Sequence, residues 1–364
     1  MKAGIVGLPN VGKSTLFNCL SNAKAQSANF PFCTIEPNIG VVNVPDPRLE
    51  KLAELVKPER VQPATVEIVD IAGLVKGASK GEGLGNQFLG NIRECNAIIH
   101  VLRCFDNDNI VHVDGNVNPI RDKETIDIEL QLKDLETVEK RLEKTRRAAK
   151  TGNKEAQAEE ALLDRIREAL LQAKSARTVQ PKNDDEAKMM EEFQLITTKP
   201  VLYVCNVDEG SAVKGNDYVE KVKELVKDEN AQVISLAVAT EADITELEIY
   251  EERQMFLDDI GLAEPGASVL IRAAYKLLNQ QTYFTAGVKE VRAWTINVGD
   301  TAPQAAGVIH TDFEKGFIRA EVIAYDDYVK FGTEAKVKEA GKLRVEGKEY
   351  IVKDGDVMHF RFNV

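Results

Sequence analysis

Gly7-Leu8-Pro9-Asn10-Val11-Gly12-Lys13-Ser14 is the stretch whose reading decides the fold. Four residues separate its two glycines, and a lysine and a hydroxyl residue follow, which is the spacing of a phosphate-cradling loop. Upstream, Ala3-Gly4-Ile5-Val6 reads as a short buried strand, and downstream Ser14 to Leu20 reads as the first turns of a helix. A strand–loop–helix context is what such a loop needs. Glycines let backbone N–H groups converge on phosphate oxygens, and the helix N-terminus adds partial positive charge. In that role Lys13 reaches the β- and γ-phosphates, and Ser14 places its hydroxyl on Mg²⁺. The plain alternative is a tight turn that happens to carry Gly, Lys and Ser.

The chain around this stretch has 364 residues, 43% hydrophobic and 29% charged, enough for a core and two or three domains. Its net charge of −12 argues against coating nucleic acid non-specifically, so any RNA contact must come from a local basic patch. The five cysteines (Cys19, Cys33, Cys95, Cys104 and Cys205) lack metal-ligand spacing and read as reduced thiols of a cytoplasmic protein. Met1-Lys2 leads straight into a strand without a signal sequence, and no apolar run is long enough to span a bilayer. The expectation is a cytoplasmic protein with no membrane partner.

Two further segments fit around a nucleotide. Asn29 to Pro37 is aromatic, proline-broken and loop-like. A P-loop hydrolase needs a threonine there to complete the Mg²⁺ shell and sense the γ-phosphate, and Thr34 is the candidate. The alternative is an ordinary surface threonine. Thr65 to Asp70 reads as a strand ending in an acid, placed to hold the Mg²⁺ water shell. Gly73 can then offer its N–H to the γ-phosphate. Six glycines from Gly73 to Gly90 raise the entropy cost of ordering that loop, which suits a segment ordered only by the γ-phosphate. Leu74 stands where a Ras-type pattern has a water-orienting Gln, and leucine cannot hydrogen-bond water. Either another group orients the attacking water, or hydrolysis is slow.

Ala97 to Phe105 reads as a buried strand with His100 as a satisfied core histidine in its middle. His112 falls in the polar loop beyond it, on the side where ligands bind in open parallel sheets. An imidazole there can hold or deprotonate water in place of the missing Gln, so His112 is the candidate catalytic group beside Lys13. The competing reading is a loop histidine that only packs. Asn10 offers a second route, by helping to hold K⁺ near the phosphates; its plainer role is turn formation.

From about Thr125 the pattern turns helical and charged. Ile128, Leu132, Leu135, Val138 and Leu142 recur at three- and four-residue steps, and Ala158, Leu162, Ile166, Ala169 and Ala173 repeat the stripe after Thr151-Gly152-Asn153. Two helices joined by a short turn make an antiparallel coiled-coil hairpin. Residues 140–154 carry seven cations, Arg146, Arg147 and Lys150 among them, against Glu143 alone. Such a tip is either a solvated helical face or a phosphate-contacting finger for RNA.

Lys199 to Asn206 returns as a buried strand ending in Asn206-Val207-Asp208-Glu209. A guanine-specific site would read Asn-Lys-x-Asp there. Asn206 is kept, but Val207 replaces the lysine that covers the base and Glu209 the aspartate that accepts from guanine. Losing a paired acceptor costs discrimination, so ATP is expected to be used at least as well as GTP. The second base-side loop, after Gln232-Val233-Ile234, is Ser235-Leu236-Ala237. Pro265 to Leu278 reads as a helix. From about Tyr283 short alternating strands (292–296, 317–322 and 358–362) suggest a small mixed β domain, with Asp354-Gly355-Asp356 as a hairpin-style turn. His310 and His359 read as structural.

Together these residues resemble the Obg-like ATPase family, YchF type, within the translation-factor class of P-loop GTPases. The resemblance covers nearly the whole chain. It is carried by Gly7–Ser14, Phe30–Pro37, Asp70–Leu74 with the glycine run, Asn206–Glu209, Phe284–Trp294 and His310–Gly316. It implies an α/β fold: a Ras-like P-loop domain over 1–124 and 197–279, an inserted hairpin over 125–196, and a ubiquitin-like TGS domain of β-grasp type over 280–364. It also implies ATP over GTP, Mg²⁺ dependence and association with the ribosome, at its large subunit. By the same resemblance Asn10, Val11, Gly12, Lys13, Ser14 and Thr15 take the phosphates, Ser14 and Thr34 the Mg²⁺, and Asn206 and Val207 the base. Two rivals stay open: a GTPase of the same fold, and a nucleotide-gated ribosome- or RNA-binding module with negligible turnover.

Overall fold

The computed structural model describes residues 1–22, 39–71, 85–113, 115–229, 231–247 and 249–363. Among them the chain forms two compact units: one holds 1–22, 39–40 and 67–270, the other 41–66 and 271–363.

The elements begin with β1 (Lys2–Val6), α1 (Lys13–Asn22), β2 (Ile39–Asn43), α2 (Pro47–Val56), β3 (Arg60–Gln62) and β4 (Thr65–Asp70). Next come α3 (Gly85–Glu94), β5 (Ala97–Arg103), α4 (Pro119–Ala149), α5 (Lys154–Leu171), α6 (Asp184–Glu192) and β6 (Val201–Asn206). Then follow α7 (Asp217–Val226), β7 (Gln232–Leu236), α8 (Val238–Glu246), α9 (Tyr250–Ile260) and α10 (Gly266–Leu277). A sheet of order β2-β4-β1-β5-β6-β7 runs through this part, and its β4–β1, β1–β5, β5–β6 and β6–β7 pairs are parallel. β5 and β6 are buried along their whole length, because helices cover both faces of a parallel sheet and select continuous apolar runs. The loops beyond the carboxyl ends of β1, β4, β5 and β6 therefore emerge on one edge, where open parallel sheets bind ligands.

α4 and α5 are joined by residues 150–153. The cross-helix bonds Glu139–Arg167, Arg146–Glu160 and Ala149–Gln157 pair rising with falling numbers, so the two helices run antiparallel. Their shared core is Val138, Leu142, Leu162, Leu163, Ile166 and Leu170, closed by Ala176, Phe193 and Leu195. α4 starts at Pro119, six residues before the expected Thr125, because Asn118 caps it by accepting from Arg121 N and Pro119 supplies a preset φ at the first position. The stripe differs at its root. Ile126 and Leu130 are buried, whereas Ile128 and Leu132 are exposed. In the root α4 packs against the sheet as well as α5, so its buried face there is turned relative to the hairpin seam. In α5, Leu162 and Ile166 are buried as expected, but Ala158 faces solvent, and Ala173 lies exposed beyond the helix end.

The root is fixed by buried polar groups. Asp134, fully buried, accepts from Ile196 N (2.9 Å), Thr197 N (2.7 Å) and Thr197 Oγ1 (2.7 Å). Lys123 pairs with Asp127 (2.6 Å) and Glu229 (2.7 Å), and Tyr203 also donates to Glu229 (2.7 Å). Every charge withdrawn from water there has a partner, which such burial requires.

The second unit carries α2, β3 and the remaining elements: β8 (Gln280–Ala286), β9 (Glu290–Asn297), α11 (Ala302–Ile309), α12 (Thr311–Lys315), β10 (Phe317–Ile323), α13 (Tyr325–Phe331), α14 (Glu334–Glu339), β11 (Arg344–Glu346) and β12 (Val357–Phe362). Its sheet has the order β11-β10-β12-β8-β9-β3, with β12–β8 and β3–β9 parallel and the other pairs antiparallel. α11 covers one face over Tyr283, Ile296, Phe317, Val322, Met358 and Phe360. Asp354-Gly355-Asp356 is a turn, with Gly355 at φ +89°, but it joins no hairpin, since β10 lies between β11 and β12. Carboxylates set it instead: Asp354 takes the Arg48 fork and Thr282 N, while Asp356 takes Tyr350 and Lys353 N. Among the described residues no helix is long and apolar enough to cross a membrane.

Candidate functional site

β1 delivers the chain into the loop 7–12, and α1 leaves it at Lys13. Two close approaches require glycine. A Cβ on Gly7 would lie 2.6 Å from Val101 O, and one on Gly12, at φ +99°, would lie 2.6 Å from Asn206 Nδ2. Asn10 sits at φ +62°, a left-handed conformation asparagine tolerates. Its side chain donates to Val111 O (3.2 Å), tying this loop to the β5–α4 loop.

Lys13 is buried and its Nζ donates to Leu8 O (2.7 Å). Burial lowers its pKa to about 8, against the pull of Asp70. Ser14 and Thr15 are exposed on the first turn of α1, a turn without acidic side chains to compete with a bound anion. Ser14 Oγ donates to Asp70 Oδ2 (3.2 Å) from the end of β4. Burial raises the Asp70 pKa, while Ser14 and Lys13 oppose it. Its Oδ1 is buried with no hydrogen-bond partner among the described residues. An orphaned carboxylate oxygen beside a hydroxyl is the donor chemistry of a hard divalent cation, so Ser14 and Asp70 fit Mg²⁺. Thr34 and Gly73 lie outside the described residues.

On the base side, Asn206 is buried at the end of β6. Its Nδ2 donates to Val11 O (2.9 Å) and its Oδ1 accepts from Val238 N (3.1 Å). Val207 is buried and its N–H donates to Leu236 O (3.0 Å). Asp208 turns back to accept from Ser211 N (3.1 Å), and the exposed Glu209 beside it has no side-chain hydrogen bond among the described residues. Ser235 and Leu236 are not loop residues: β7 continues through Leu236, held in register with Cys205 and Asn206. The loop starts at Ala237.

His100 is a core residue whose ring lies tilted against that of Tyr203 (5.5 Å between rings), and burial pushes its pKa down to about 3. It is not fully satisfied, for its Nε2 has no hydrogen-bond partner among the described residues. His112 lies in the β5–α4 loop as expected, one residue from the Asn10 contact, and its ring is buried. Its Nε2 is 2.8 Å from Asp122 Oδ2. The sequence reading missed Asp122, and also Arg103. The fully buried Arg103 guanidinium donates to the carbonyls of Phe105 (3.2 Å), Asn107 (3.0 Å) and Ile110 (2.9 Å), and so shapes the His112 loop. The helix-start signal Asn118-Pro119 was the available clue, since it puts Asp122 in the first turn of α4.

At the hairpin tip Arg146 pairs with Glu160 (3.2 Å) and Asp164 (2.8 Å), and Arg147 with Glu143 (2.6 Å). Lys150 has no ion pair among the described residues. The three line a groove of about 560 Å³ with Arg167. The four described cysteines are free and buried.

Comparison with known proteins places this geometry among relatives. A family model described as 50S ribosome-binding GTPase matches residues 2–138, and one named for the YchF GTPase C-terminal region, described as a protein of unknown function, matches 280–363. The chain is 59% identical to the ribosome-binding ATPase YchF of Haemophilus ducreyi, over 100% of this chain and 99% of that one. It is 55% identical to the ribosome-binding ATPase YchF of Bacillus subtilis, over 100% of both. A solved structure of the Schizosaccharomyces pombe YchF GTPase superposes with a TM-score of 0.90 at 39% identity, covering 99% of this chain and 97% of that one.

Proposed function

Because the chain belongs to the YchF family, we propose that it is a ribosome-binding ATPase: a Mg²⁺-dependent P-loop switch that prefers ATP to GTP. The observation that carries this reading is the convergence, at one edge of the parallel sheet, of the α1 N-terminus, Lys13 and the Ser14–Asp70 pair. Asn10 to Thr15 cradle the phosphates. Lys13 leaves the Leu8 carbonyl for the β- and γ-phosphates and stabilises the charge that develops as water attacks in line. Ser14, Thr34 and Asp70 hold Mg²⁺, which when bound neutralises charge between the β- and γ-phosphates. Gly73 reports the γ-phosphate, and His112 orients the water that Leu74 cannot. Asn10 can add a K⁺ ligand.

Asn206 and Val207, with Ser235 and Leu236 behind them, form the base side. The buried Val207 offers no aliphatic stem to cover a guanine, and Glu209 is one methylene longer than the aspartate that reads it. The second reading, GTP as substrate, is favoured by the Schizosaccharomyces pombe relative, which is called a GTPase. The names of the curated relatives support the ribosome as partner, and the 50S ribosome-binding description supports its large subunit. Such a partner places the protein in the cytoplasm. Arg146, Arg147 and Lys150 form the RNA-facing surface of an inserted coiled-coil hairpin, and the C-terminal unit is a TGS domain of β-grasp type. Exposed ion pairs of the Arg146 kind are weak, so phosphates can displace their acids. Chelation tests the hydrolase reading. ATP turnover should need Mg²⁺, stop with EDTA and be lost in Lys13→Ala; turnover that survives either change would overturn it.

A further inference from the structure

We infer that Asp122 is the positioning residue for the His112 imidazole in nucleotide hydrolysis; this rests on the reading of His112 as the water-orienting group. The imidazole hangs between two anchors. On one side its loop is clamped by the Arg103 guanidinium, and the adjacent Val111 carbonyl takes the Asn10 side chain of the phosphate loop. On the other side the ring meets Asp122, in the first turn of α4, at 2.8 Å, with both side chains almost fully buried.

The carboxylate cannot drift. Its other oxygen accepts from Arg121 Nη2 (3.2 Å), and Arg121 is itself held by the Asn116 side chain (2.7 Å) and carbonyl (2.7 Å). The Asp122 backbone N–H donates to Asn118 O (3.0 Å), within the cap of the helix. A carboxylate oxygen accepts, so Nε2 carries the proton that faces Asp122 and the contact fixes which way the ring is turned. A carboxylate that fixes a histidine tautomer in this way contributes through the histidine, and its amide analogue can impose the wrong tautomer without disturbing shape.

A structural role for Asp122, as a favourable first-turn acid of α4, makes a different prediction. It would lower the melting temperature and slow turnover independently of His112. Single-turnover hydrolysis and ATP affinity of the full chain separate the two. Asp122→Asn and His112→Ala should each slow hydrolysis by about tenfold or more while ATP affinity changes by less than about twofold. The double variant should hydrolyse within about twofold of His112→Ala, because one interaction cannot be lost twice. Additive losses, or an Asp122→Asn rate equal to wild type beside a slow His112→Ala, would overturn the positioning role and leave the His112 reading intact. A His112→Ala rate equal to wild type would overturn both. If Asp122→Asn does not fold, Arg121→Ala loosens the same carboxylate from its exposed side. It should slow turnover severalfold in the wild-type background and not at all in His112→Ala; an unchanged wild-type-background rate would overturn the inference.

Discussion

Asn206 shows how much one side chain carries. Its amide donates to the phosphate loop at Val11 and accepts from the start of α8 at Val238, and its bulk is the reason residue 12 must be glycine. Lys13 shows the electrostatic side of the same scale. Burial without a bound phosphate disfavours its charged form and lowers its pKa to about 8. A bound triphosphate favours that charged form, so nucleotide binding above this value must take up a proton. The sign follows directly: affinity for ATP is highest with Lys13 protonated and falls as pH rises through about 8. Between pH 7 and pH 9 the apparent dissociation constant should rise by about tenfold, one pH unit past the pKa. Isothermal titration across that range checks it; a flat profile would mean that the ammonium is not what the phosphates meet.

Two elements do most to hold the site in place. β6 presents Asn206, and the chain reaches β6 through residues 196–198, whose amides are held by Asp134 of α4. Asp134→Ala would strand two backbone N–H groups and the Thr197 hydroxyl in a buried place. The expected loss is about 3 kcal/mol or more of unfolding free energy in urea, against well under 1 kcal/mol for a typical surface substitution. A loss under about 1 kcal/mol would show that the root relaxes to readmit water. The outer hairpin is built differently. Its seam is a plain apolar stripe, and the acids of α5 partly balance the basic end of α4. The seven cations counted in the sequence therefore overstate the field at the tip, and Lys150, without an ion pair among the described residues, is the cation most open to a phosphate.

Across the molecule, what could be read from the sequence was whatever has local periodicity or a rigid spacing. The phosphate loop needs glycines at fixed offsets, the buried strands β5 and β6 are unbroken apolar runs, and the hairpin repeats its stripe over many turns. Contacts without a regular repeat, whether local or between distant segments, left weaker marks. The pairing of Arg60–Gln62 with β9, the carbonyl cage around Arg103, and the meeting of His112 with Asp122 arise only when the chain is folded. Ile128 and Leu132 were misread because a helix root packs on a sheet through a different face from the one it offers its hairpin partner. Base selection is the central claim, and a paired titration with fluorescent ATP and GTP analogues in the presence of Mg²⁺ tests it most directly. Tighter ATP binding is predicted, because Val207 and Glu209 have replaced the groups that read guanine. Clear GTP preference would contradict the account and return the protein to the guanine-specific members of its fold.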